Sequence, residues 1–132
     1  MTRSFRIEHD SLGPVEVSDE ALWGAQTERS LRNFAISNER IPVELIHALA
    51  LIKQRCAAVN ARHGVLSQGL ADKIISAAKA IDTGQHDDQC PLKVWQTGSG
   101  TQTNMNVNEV ISNLVSRREG NPLGSHQPVH PN

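Results

Sequence analysis

Large rings are nearly absent from this chain, and that scarcity limits what it can fold into. Phe5, Trp23, Phe34 and Trp95 are the whole supply, 3% of 132 residues, with no tyrosine. Aromatic side chains bury the most area and usually anchor small cores. Here the interior must rest on Leu, Ile, Val and Ala. That suits helices packing against further helices better than a self-sufficient unit, and it points to a chain that needs partners.

Length and charge narrow the class. At 132 residues and 14.4 kDa the chain is the size of one domain. Thirteen Lys and Arg against 14 Asp and Glu give a net charge of -1. Without a basic excess, neither nucleic acid nor an acidic membrane surface is the expected partner. No apolar run is long enough to span a membrane. The first six residues carry charge with no apolar segment behind them, so a signal peptide is not expected and the cytoplasm is the simplest compartment. Cys56 and Cys90 fit neither a disulfide framework nor a zinc spacing.

Phe5 and Ile7 alternate with Arg6 and Glu8, and Val15 and Val17 flank Glu16. With the turn residues Ser11-Leu12-Gly13-Pro14 between them, this predicts a short, partly exposed hairpin. Ser18-Asp19-Glu20 then predict a capped helical turn carrying Ala21, Leu22 and Trp23. Residues 24–40 have no deciding period and read as a connector. Pro42 predicts a helix start. Leu45, Leu49, Ile52, Cys56 and Val59 form one apolar stripe, with Gly64 as the stop. Ser67 predicts the cap of a second helix, buried through Leu70, Ile74, Ala77, Ala78 and Ile81 and ended by Gly84. The two should form an antiparallel hairpin. A third helix is predicted from about Thr103, with Val107, Val110, Ile111 and Leu114 inward and Gly120 after Arg117 and Arg118.

Two clusters invite a metal reading and fail it. His86, Asp87, Asp88 and Cys90 are neighbours on a loop with no second ligand pair at a known spacing. His126 and His130 are four apart, but Pro128 and Pro131 disrupt the helix that would align them. No metal is expected.

The chemistry-bearing segment is Gly98-Ser99-Gly100-Thr101-Gln102, which leads into the third helix. Glycines allow close backbone approach, Ser99 and Thr101 add hydroxyls, and a helix N-terminus adds unpaired N–H groups and partial positive charge. Such a segment can hold a phosphate or carboxylate. It is neither a Walker loop nor a dinucleotide fingerprint. Asn104, Asn106 and Asn108 follow, at a cost of about 1–2 kcal/mol against Ala. Local violations of this kind mark function or a solvated helix start, and composition does not separate the two.

The run from Trp95 to Glu109, WQTGSGTQTNMNVNE, closely resembles a signature of the class II fumarases, within the aspartase/fumarase superfamily. Residues 6–13, 22–30, 84–88 and 129–132 agree with the same family, in order along the whole chain. The resemblance implies a mainly α fold, the N-terminal lyase domain, with a short N-terminal β-hairpin and about three main helices. It implies reversible trans addition of water to fumarate, giving L-malate in the tricarboxylic acid cycle, with no cofactor, in a homotetramer whose sites draw on three chains. Ser99, Gly100 and Thr101 match substrate-binding positions, and Gly98, Gln102 and Asn104 would support that loop. His130, Pro131 and Asn132 match a second dicarboxylate site. There His126-Gln127-Pro128 stands where the family has a basic residue, which should weaken an anion site.

The same resemblance implies that residues 1–132 are only the first domain, with the central helical bundle and C-terminal domain beyond them. The family's Ser-Ser-Asn element, catalytic His and serine loop with its Lys and Asn would lie there, so no catalytic residue is expected in this chain. The isolated chain should be inactive, and its exposed stripes should favour marginal stability or self-association. Two other readings are a non-catalytic carboxylate-binding or subunit-interaction module and the related ammonia-lyase aspartase. Aspartases typically have Gly-Ala-Gly-Thr-Ser before the Asn run, so Ser99, Gln102 and Trp95-Gln96-Thr97 favour fumarase.

Overall fold

A computed structural model describes residues 4–132; the expectation about a signal peptide rests in part on Met1–Arg3, which lie outside the described residues. Strands β1 (Phe5–Asp10) and β2 (Gly13–Ser18) pair antiparallel around a two-residue turn. Gly13 follows the turn with φ +108, a conformation that favours glycine. The register sets Arg6 opposite Val17 and Glu8 opposite Val15. Glu8, Val15 and Val17 are buried, whereas Phe5 and Ile7 are 54% and 55% exposed. The polar half of β1 therefore faces inward. Arg6 explains this: its guanidinium donates to Glu8 and to the carbonyls of Ser18 and Trp23.

The expected helical turn at 18–23 does not extend into a helix. Ser18 closes a single turn through the Ala21 N–H at 3.0 Å, and the chain then runs irregularly to Gly24. A helix stands where a connector was expected: α1, Ala25–Asn33. Its start is stabilised from elsewhere in the chain. Glu8 accepts the Ala25 N–H at 3.1 Å, and Glu109 accepts those of Gln26 and Thr27 at 3.0 and 3.3 Å. Carboxylates at a helix N-terminus satisfy its free donors and suit its dipole.

Helices α2 (Val43–Arg62) and α3 (Gln68–Asp82) form the expected hairpin. Pro42 flanks α2, Gly64 takes the left-handed conformation after it, and the Ser67 hydroxyl accepts the Leu70 N–H at 3.3 Å. The inward face of α2 differs from its apolar stripe. Ile46, Ala50 and Ala57 are buried, while Leu45, Ile52 and Val59 are 48%, 54% and 47% exposed. Ile46 and Ala50 join Ala77, Ala78 and Ile81 of α3 in the main core.

Helix α4 (Thr101–Arg118) begins two residues before the expected Thr103 and runs through the centre, touching α1, α2 and α3. Val107, Val110, Ile111 and Leu114 are buried as their period predicts. So are Thr103, Asn106, Glu109, Ser112, Asn113 and Ser116. Four of these polar residues hold loop backbone. Asn106 donates to Gln89 C=O at 3.0 Å, Asn113 to Leu22 C=O at 2.9 Å, Ser112 to Val129 C=O at 2.6 Å and Ser116 to Gln127 C=O at 2.7 Å. Buried carbonyls need such donors. Among the described residues, no helix is long and apolar enough to cross a membrane.

Candidate functional site

Gly98, Ser99, Gly100 and Thr101 are exposed together at the start of α4. Gly100 has φ +70, so the reversal into the helix suits glycine. Its N–H closes a turn on Thr97 C=O at 3.2 Å, and Ser99 Oγ accepts the Thr101 N–H at 3.4 Å. The first intrahelical bond runs from Asn104 N–H to Gly100 C=O. The Thr101 and Gln102 amides thus lie ahead of the helical ladder, beside two hydroxyls. This arrangement can bind an anion.

The supporting residues fall on different sides of α4. Gln102 accepts a hydrogen bond from the Ser30 hydroxyl and ties the loop to α1. It borders a cleft of about 210 Å³ with Thr101, Gln26, Arg29 and Asp10. Asn104 instead borders a groove of about 540 Å³ with Gly98, Gly100, Leu45 and Trp95.

His130, Pro131 and Asn132 come together at a separate place. The Asn132 N–H donates to His130 Nδ1 at 3.1 Å. On one side they border a cleft of about 320 Å³ with Asp10, Gln26, Glu109 and His126. On the other they border a groove of about 260 Å³ with Lys53, Cys56 and Asn108. The 98–101 loop borders other clefts than these; Asp10, Ser11 and Gln26 wall both the His130 cleft and the Thr101 cleft. Lys53 is a cation that sequence reasoning missed, because α2 brings it from far along the chain.

Electrostatics single out Glu109, which was read only as part of a longer run. It is 4% exposed. Burial, with the nearby Glu8 carboxylate adding to it, pushes its pKa up to about 7 against the pull of the α1 amides. Burial also acts upward on Asp10, but Arg29 and the Leu12 N–H outweigh it and hold that carboxyl below its ordinary value. Burial and then His130 lower the pKa of His126. Burial and the neighbouring Asp87 and Asp88 push the Cys90 thiol up to about 12, which makes it a poor metal ligand. His47 Nε2 lies 2.7 Å from Asp87 Oδ1. Among the described residues, no three His, Cys, Asp or Glu side chains are grouped to hold a metal.

The sequence profile of a family described as lyase matches residues 13–132. A class II fumarate hydratase of Prochlorococcus marinus (strain MIT 9313) is 67% identical over all 132 residues, which span 28% of its length. The class II fumarate hydratase of Parasynechococcus marenigrum (strain WH8102) is 64% identical over the same span and share. A crystal structure of recombinant class II fumarase from Schistosoma mansoni superimposes with a TM-score of 0.93 at 44% identity, over 98% of this chain and 27% of that one. The chain therefore spans under a third of the relatives it matches.

Proposed function

The chain belongs to the lyase family, and from that premise we propose that it acts as the N-terminal domain of a class II fumarate hydratase, residues 1–132. The observation that carries this reading is the 67% identity with the Prochlorococcus relative over all 132 residues. The exposed Ser99–Thr101 loop at the start of α4 agrees with it. The reaction is the reversible trans hydration of fumarate to L-malate, a step of the tricarboxylic acid cycle, in the cytoplasm and within a homotetramer. The exposed α2 stripe offers a surface for assembly.

In this reading Ser99 and Thr101 donate hydroxyl hydrogen bonds to one substrate carboxylate, and the amides at the start of α4 add theirs. Removing the C3 proton of malate spreads charge onto the adjacent carboxylate as an aci-carboxylate. Fixed donors stabilise that developing charge without reorganising. Gln102 holds the loop to α1 and Asn104 backs it. His130, Pro131 and Asn132 form a second, weak dicarboxylate site, with acidic Glu109 and Asp10 in one wall and Lys53 in the other. The general base comes from outside these residues.

The test joins this chain to the remainder of the Prochlorococcus relative in place of its matching segment. Loss of fumarate absorbance should report hydration, and Ser99→Ala or Thr101→Ala should lower kcat/KM about 10²-fold. No hydration by a folded graft, when the parent is active, overturns the reading. Turnover by the 132-residue chain alone overturns the placement of the base.

A further inference from the structure

We propose that Gln96 is the positioning residue of the substrate loop; this rests on the functional reading above. Its side-chain amide closes the base of the loop. Nε2 donates to Lys93 C=O at 2.9 Å and to Thr103 Oγ1 at 2.9 Å, while Oε1 accepts the Thr103 N–H at 3.2 Å. A carbonyl only accepts and a backbone N–H only donates, so one orientation of the amide satisfies both. Everything from Thr97 to Gln102 lies between the two clamped residues.

The clamp has a firm anchor on each side. Residues 93–95 are fixed to the segment ahead of α2: the Val94 N–H donates to Glu39 C=O at 3.0 Å, and Trp95 Nε1 donates to Glu39 Oε2 at 3.0 Å. Thr103 is buried on α4. The clamp also does what Gly100 cannot. Gly100 has no side chain to cap the helix, and none caps it there. Gln96 satisfies the third amide of α4 from outside, and Ser99 Oγ accepts the first, from Thr101, which leaves the Gln102 amide at the loop surface. A Ser or Asp at position 100 would cap the second or third amide instead. Gln96 thus stabilises the helix start without filling the site and does not itself touch substrate.

Three variants in the grafted enzyme test this. Gln96→Leu should lower kcat/KM for fumarate at least tenfold. Gln96→Asn, too short to reach both anchors, should do the same. Gln96→Glu should lose activity at pH 8 and recover toward the unsubstituted enzyme as pH falls to 5, because a protonated carboxyl can again donate to Lys93 C=O and accept from Thr103. Melting curves at both pH values, showing the variant fully folded at the assay temperature, separate this rescue from a change in general stability. In the 132-residue chain, Gln96→Leu should speed exchange of the Thr103 amide at least tenfold. An active graft in which Gln96→Leu keeps kcat/KM within twofold, or a Gln96→Glu deficit that does not change with pH, overturns the proposal and leaves the functional reading intact. An inactive unsubstituted graft overturns the functional reading and with it the catalytic part of this proposal. The Thr103 exchange then decides whether the clamp itself stands.

Discussion

Glu109 Oε1, midway along α4, accepts the Gln26 N–H at the start of α1 at 3.0 Å, across 83 residues of sequence. The carboxyl that makes this contact has a folded-state pKa raised from 4.5 to about 7. The folded chain therefore holds this proton more tightly than the unfolded chain. The resulting stability is fully present below pH 4.5 and is lost as pH rises through about 7. The shift corresponds to about 3 kcal/mol. Glu109→Gln keeps an acceptor for the Gln26 and Thr27 amides and removes the charge. Urea unfolding across this range should show the parent losing stability relative to Glu109→Gln as pH rises. A constant difference between the two counts against the assignment.

Gly24 sits where α1, Glu8 and Glu109 meet. A Cβ there would lie 2.5 Å from Glu109 Oε2 and 2.8 Å from Glu8 Oε2. Both carboxylates are buried and held by other bonds, so neither can swing clear. The backbone at Gly24, φ -116 and ψ -161, is open to any residue, so the penalty is steric. Gly24→Ala should destabilise the chain by about 1–3 kcal/mol, the usual range for overpacking. A melting temperature unchanged by the substitution would mean that the carboxylates yield.

On α2, the outward and inward faces can be separated by experiment. Ile46→Ala empties a fully packed position and should cost about 2–5 kcal/mol. Ile52→Gln on the exposed face should change stability by no more than about 0.5 kcal/mol. It should also reduce self-association in sedimentation velocity, because it interrupts the exposed apolar stripe. Self-association that is unaffected by Ile52→Gln would place the contact elsewhere.

These cases show which parts of the fold were readable from sequence. Pro42, Gly64, Ser67 and Gly84 act within a turn of their own position, so the α2 and α3 boundaries could be read directly. Helix α1 could not, because its capping carboxylates arrive from β1 and α4. The burial of α2 was misleading because Leu45, Ile52 and Val59 face outward while Ile46, Ala50 and Ala57 pack inside. On α4 the apolar period held, but Asn106, Ser112, Asn113 and Ser116 look solvated in sequence and are buried on loop carbonyls. The candidate site divides the same way. Glycines and hydroxyls ahead of a periodic helix marked residues 98–101 as candidates, whereas the contacts of Gln96, Glu109 and Lys53 arise only in the folded chain.

Ser112 leads to the last prediction. Its hydroxyl is buried and donates to Val129 C=O at 2.6 Å, and Ser116 donates to Gln127 C=O at 2.7 Å. These bonds fix the tail that carries His130, Pro131 and Asn132. Ser112→Ala leaves the Val129 carbonyl without that donor, at a cost of about 1–3 kcal/mol. The loosening should be local, because the tail and the Ser99–Thr101 loop border different clefts. The Asn132 amide, which donates to His130 Nδ1, should exchange faster in Ser112→Ala, while the Thr103 amide at the loop base keeps its rate. Equal acceleration at both amides would mean that the whole of α4 responds, and the tail would then not be a separately held unit.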